Sequence, residues 1–102
     1  MTPELFEAVT TWQEKTFTKA TALSIAYHLQ EEVKELISDI EANSDDRRLE
    51  YADCFLLLFG AAKADGYSYE DICNLIAEKF EIVKSRKWGE PDAKGVVKHI
   101  KE

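Results

Sequence analysis

The run Cys54-Phe55-Leu56-Leu57-Leu58-Phe59-Gly60-Ala61-Ala62 constrains the fold more than any other stretch of the chain. It lies in a segment expected to be helical from about Asp45 to Asp65, and it is apolar on every side. A helix of that kind belongs at the centre of a bundle or in an interface between copies, because a surface helix needs a polar face. With 102 residues the chain has room for one hydrophobic core. The expectation is therefore an all-α domain over residues 1–102, with the other helices gathered around this one and with self-association to cover the apolar sides left over.

Those other helices can be placed from their own signals. Thr2-Pro3 starts the first, with a capping residue followed by proline where a helix tolerates it, and Leu5, Phe6, Val9 and Trp12 give it an apolar side. Thr16 to Thr21 breaks the pattern. A second helix is expected from about Ala22 to Ala42, with Ile25, Leu29, Val33, Leu36 and Ile40 as its buried stripe. Asn43 to Asp46 reads as a turn plus an N-cap. Gly66 reads as a helix stop, and Ser68 with Asp71 as a capping box for a fourth helix from about Tyr69 to Lys87. Val96, Val97 and Ile100 suggest a short closing segment.

Charge narrows the function. The net charge is −7, with no basic stripe to displace counterions from a phosphate backbone, so free nucleic acid and anionic membrane are not expected partners. Glu4 and Glu7 among the first apolar residues are unlike a secretory signal, and no apolar run approaches bilayer-spanning length. A cytoplasmic location is expected. Cys54 and Cys73 lie in apolar helical runs and read as small hydrophobes rather than a disulfide.

The acids are placed against this background in a way that solvent-facing acids are not. At about 100° per residue, Glu32 falls inside the stripe of the second helix, between Leu29 and Leu36, with Glu35 and His28 on its flank and Glu31 turned outward. Glu50 and Asp53 share a side with Leu57 and Ala61. Carboxylates at core margins need a positive partner, and two pairs on two helices suit a hard divalent cation. On the fourth helix Lys79 falls in the stripe of Ile72, Ile76 and Val83, with Arg86 on the same side and Lys84 close by. Acids that hold a metal and bases that meet phosphates together describe a site for a phosphorylated ligand.

Glu31-Glu32-x-x-Glu35 followed by Glu50-x-x-Asp53 resembles the signature of the MazG-like all-α nucleoside triphosphate pyrophosphohydrolases. Trp12-Gln13, Thr16-Phe17, Ala20-Thr21, Ser24 and His28-Leu29 at one end, and Arg86-Lys87-Trp88-Gly89-Glu90-Pro91-Asp92 with Gly95-Val96-Val97 and His99 at the other, are similar to the dATP/dGTP pyrophosphohydrolase group, common in phages and prophages. Val83 departs from it, standing where relatives often carry an asparagine.

The resemblance implies Mg²⁺-dependent cleavage of a nucleoside triphosphate, a purine dNTP for preference, to monophosphate and pyrophosphate, with Mn²⁺ as a substitute. It implies metal ligation by Glu32, Glu35, Glu50 and Asp53, in a homodimer or homotetramer inside a bacterial or phage-infected cell. Within that frame Glu31 or Glu35 would serve the attacking water. Lys79, Lys84 and Arg86 would meet the phosphates, and Trp12, Gln13, Phe17 and Trp88 the base. His28 is expected to hydrogen-bond a ligand carboxylate rather than the metal. Two other readings remain open at this stage. A di-iron oxidoreductase would need Glu-x-x-His on two helices, and neither acidic pair ends in His. A catalytically inactive nucleotide-binding or assembly protein is favoured only by Val83 and the apolar third helix.

Overall fold

A computed structural model describes residues 1–101, which form four helices: α1 (Pro3–Thr16), α2 (Ala22–Glu41), α3 (Arg47–Ala64) and α4 (Tyr69–Ser85). No strand longer than an isolated bridge occurs among the described residues, so the chain is all-α. The chain divides into two compact units, Met1–Glu70 and Asp71–Glu102.

In the first unit α3 packs against both α2 and α1, the central place its apolar run demands. The helix ends are set by local chemistry. Thr2 Oγ1 accepts from Leu5 N at 3.1 Å to start α1. Thr21 and Ser24 satisfy each other's backbone N–H in a complete capping box at the start of α2. Gly66 stops α3 at φ 99°, with the N–H of Tyr67 returning to the Ala62 carbonyl at 3.0 Å.

The buried centre of this unit is small. Phe6 is 0% exposed, edge-on to Phe59 with ring centroids 5.9 Å apart and tilted against Tyr69 at 5.3 Å. Thr10 is buried beside it, its hydroxyl donating to the Phe6 carbonyl at 2.8 Å, so the polar group is satisfied. Tyr69 closes the unit by donating its hydroxyl to the Met1 carbonyl at 2.8 Å.

Two expectations about the first unit need correction. The inward face of α2 consists of Ala22, Ile25, Leu29, Glu32, Leu36 and Asp39, whereas Val33 and Ile40 are exposed. A 20-residue helix buries a narrow stripe against one neighbour, and those two fall off its edge. Asp46 precedes α3 but makes no side-chain cap, because its own backbone is already helical (φ −64°, ψ −19°). The turn is held instead by Asn43, at φ 53°, whose Oδ1 accepts from Arg47 at 2.7 Å, and by Ser44 Oγ, which accepts from Asp46 N.

In the second unit, α4 has Ile72 as its buried residue, while Ile76 and Lys79 are exposed, so the stripe through Lys79 is not a buried one. The segment after α4 folds back on itself through an antiparallel bridge between Trp88 and His99. Asp92 Oδ1 accepts from Lys94 N and Val96 N, and Gly95 takes φ 82°, which turns the chain. The expected short closing segment is this loop.

Candidate active site

The packing of α2 on α3 brings three carboxylates together. One oxygen from each of Glu32, Glu35 and Glu50 lies within 4.8 Å of the others. Glu32 arrives because it occupies the inward face of α2, where its side chain is 17% exposed. Glu50 arrives from the first turn of α3 and is half-buried, and Glu35, one turn beyond Glu32, is exposed. Asp53, one turn along α3 from Glu50, lies outside the group of three but near enough to act on it electrostatically. Glu31 is exposed.

The electrostatics of this cluster all push one way. Burial raises the Glu50 carboxyl to about 7, helped by the hydrogen bond its protonated form donates to Glu32 and by the charges of Glu32, Glu35 and Asp53. Glu35 is raised by sharing a hydrogen bond with Glu32, then by that residue's charge, by burial, and by Asp39 and Asp53. Burial and the charges of Glu32, Glu50 and Asp53 also raise the neighbouring Cys54 thiol, and both Cys54 and Cys73 are free. Glu50 sits where a helix N-terminus favours an anion, yet crowding and burial outweigh that effect. Its Oε2 is buried without a hydrogen-bond partner. An orphaned carboxylate oxygen among two other carboxylates is the donor set of a hard divalent cation, and oxygen ligands in this number fit one. His28 Nε2 stands 3.4 Å from Glu32 Oε1, so it braces the carboxylate from the side.

Glu32 and Asp53 also form part of the wall of a cavity of about 480 Å³ in the first unit. This is within the range that takes a small organic ligand. Trp12, Gln13 and Phe17 line the same cavity, together with Ser24, His28, Leu56, Gly60 and Lys63. Trp12 and Phe17 stack edge to face at 5.5 Å and are 59% and 54% exposed, so neither is a core residue. Gln13 is fixed by donating from Nε2 to the Leu56 carbonyl at 3.0 Å.

The remaining expected site residues lie in the second unit. Lys84 is paired with Glu81 at 2.8 Å and its ammonium sits 4.6 Å from the Phe80 ring centre. Lys79 is exposed and Arg86 half-buried. Trp88 donates its indole N–H to the Val83 carbonyl at 3.0 Å and packs edge-on to His99. Sequence reasoning missed Asp39, which adds charge beside Glu35, and also Gly60 and Lys63 in the cavity wall. A glycine interrupting an apolar helix was the one available signal for Gly60.

A family profile described as dATP/dGTP pyrophosphohydrolase matches residues 5–102. The chain belongs to the dATP/dGTP pyrophosphohydrolase family. Among solved structures it is similar to a cyanophage S-2L MazG-like pyrophosphohydrolase bound to dGDP and three catalytic Mn²⁺ ions per active site. The two share 26% identity over 99% of each chain, with a TM-score of 0.77. No curated protein matches the chain. As a member of this family the protein is a hydrolase of nucleotide phosphoanhydride bonds, and its fold is MazG-like.

Proposed function

We propose that the protein cleaves a purine deoxynucleoside triphosphate between the α and β phosphates, releasing the monophosphate and pyrophosphate, with Mg²⁺ or Mn²⁺ held by Glu32, Glu35, Glu50 and Asp53. The observation that carries this reading is the buried, unpartnered Glu50 Oε2 within a cluster of carboxylates, two of whose neighbours, Glu32 and Asp53, reach the wall of a cavity with aromatic sides. The family and the dGDP-bound cyanophage relative support the nucleotide assignment.

When bound, a divalent cation neutralises phosphate oxygens and eases ionisation of water. The protein supplies position and proton transfer. His28 keeps Glu32 turned inward. Glu31 or Glu35 takes the proton of the attacking water as its oxygen adds to phosphorus and the bridging P–O bond opens. Trp12 and Phe17 offer faces to the base, and Gln13 an amide for its edge. Lys79, Lys84 and Arg86 are assigned, on charge and on the family resemblance, to the phosphates and the departing pyrophosphate, and Trp88 to the base. The chain acts as one functional domain over residues 1–102, as a homodimer or homotetramer in the cytoplasm, and does not take nucleic acid as a partner. The family match over residues 5–102 supports the first of these, and the many exposed apolar side chains the second.

Pyrophosphate release measured across the common NTPs and dNTPs with Mg²⁺ or Mn²⁺ tests the proposal. Release from dATP or dGTP is expected, and it should vanish in Glu35→Ala and Asp53→Ala while the proteins stay helical. Nucleotide binding with no pyrophosphate from any triphosphate would instead favour an inactive binding protein.

A further inference from the structure

Gly60 sits in the interior of α3 and is buried, and it is not among the glycines with positive φ, which are Gly66 and Gly95. Glycine weakens a helix interior relative to alanine, and nothing in the backbone here requires it. The reason is space. A Cβ on Gly60 would stand 2.7 Å from Gln13 Oε1, 3.0 Å from Nε2 and 3.1 Å from Cδ. The amide of Gln13 thus occupies the place of a methyl group on α3.

That placement also fixes which end of the amide is which. Nε2 donates to the Leu56 carbonyl at 3.0 Å, and a carbonyl can only accept, so the nitrogen end is assigned by chemistry. Oε1 is then left buried with no donor among the described residues. Gln13, Leu56 and Gly60 all line the cavity that carries Trp12 and Phe17. A buried acceptor without a donor is unfavourable, so its donor comes from the cavity side: water in the empty site, and a ligand that displaces that water.

We infer that Gly60 is a positioning residue for substrate choice: by lacking a Cβ it seats the Gln13 amide with its acceptor end committed to the ligand, so the site prefers a base that brings an N–H donor over one of the same shape that brings none. This rests on the nucleotide reading of the cavity above. It goes further in assigning the selection to one oriented oxygen and to the glycine beneath it.

The test compares kcat/KM for dATP and dGTP with that for purine 2′-deoxyriboside triphosphate, which has the same ring system but neither an amino group nor a ring N–H. Wild type should favour at least one donor-bearing substrate by roughly tenfold or more, the scale of one orphaned buried hydrogen-bonding group. Gly60→Ala should fold with an undiminished melting temperature, since the helix gains a better former and the atom it meets is the far end of a flexible side chain. Its preference should nonetheless fall toward one, and Gln13→Leu should do the same with Gly60 in place. Equal rates for all three substrates in wild type, or a preference retained by Gly60→Ala, would overturn the inference and leave the hydrolase intact. Failure to release pyrophosphate from any triphosphate would overturn both.

Discussion

Glu50 makes the clearest case for how a single side chain divides its effects between stability and chemistry. Its carboxyl is raised from the ordinary 4.5 to about 7, chiefly by burial. Between those values the folded chain holds a proton that the unfolded chain has released, so this contribution to stability is complete below about 4.5 and is lost as pH rises through about 7. The metal-free protein should therefore melt at a lower temperature at pH 8 than at pH 5.5, as read by circular dichroism. Saturating Mn²⁺ or Mg²⁺ should lift the melting temperature most at the higher pH, where the ligands are ionised. Glu50→Gln should flatten the metal-free pH trend and raise the melting temperature at pH 8. The same change should cost activity more than the roughly 10–100-fold that follows loss of a residue bracing a metal ligand. Glu32 was legible in the sequence because an acid inside an apolar stripe is a local contradiction that a helical wheel exposes. Asp39 stands seven residues after Glu32, on the same side of α2, so the same wheel placed it; it went unused because it lies at the far end of the stripe, away from the paired acids.

Among the elements, α3 was legible because an all-round apolar helix has few places to go, and α2 because its inward stripe repeats at the helical period. Their ends were less so. Thr21 and Ser24 cap each other, while Asp46, an equally good capping residue by type, contributes nothing from its side chain, because the turn before it is closed by Asn43 and Ser44. Thr21→Ala should cost about 1 kcal/mol in denaturant titration, whereas Asp46→Ala should stay within about 0.5 kcal/mol. In the first unit α1 meets α3 at Phe6, fully buried against Phe59 and Tyr69, and Phe6→Ala should cost about 3–5 kcal/mol. After α4 the motif Arg86 to Asp92 carries the family resemblance, and Arg86 and Trp88 are its expected ligand contacts. Its Trp88 and Asp92 are also structural, the one bonded to the Val83 carbonyl and the other turning the chain through two backbone N–H groups. A motif read from sequence does not separate residues that touch a ligand from those that shape the loop around it.

Taken as a whole, the molecule leaves much of its apolar surface uncovered. Leu23, Tyr27, Leu49, Phe55 and Leu58 are each more than half exposed, and Phe6 and Ile72 are the buried hydrophobic side chains among the described residues. A chain this short buries a limited core, and apolar surface on this scale is what the proposed assembly of copies would cover. Sedimentation should give a mass that is two or four times 11.7 kDa, and a monomer at micromolar concentration would contradict the assembly. The bond that is broken is read directly by ³¹P NMR of dGTP or dATP incubated with the protein and Mg²⁺ or Mn²⁺. Cleavage between the α and β phosphates should replace the triphosphate signals with one monophosphate resonance and one pyrophosphate resonance. Appearance of nucleoside diphosphate and inorganic phosphate, or no change with either cation, would contradict it.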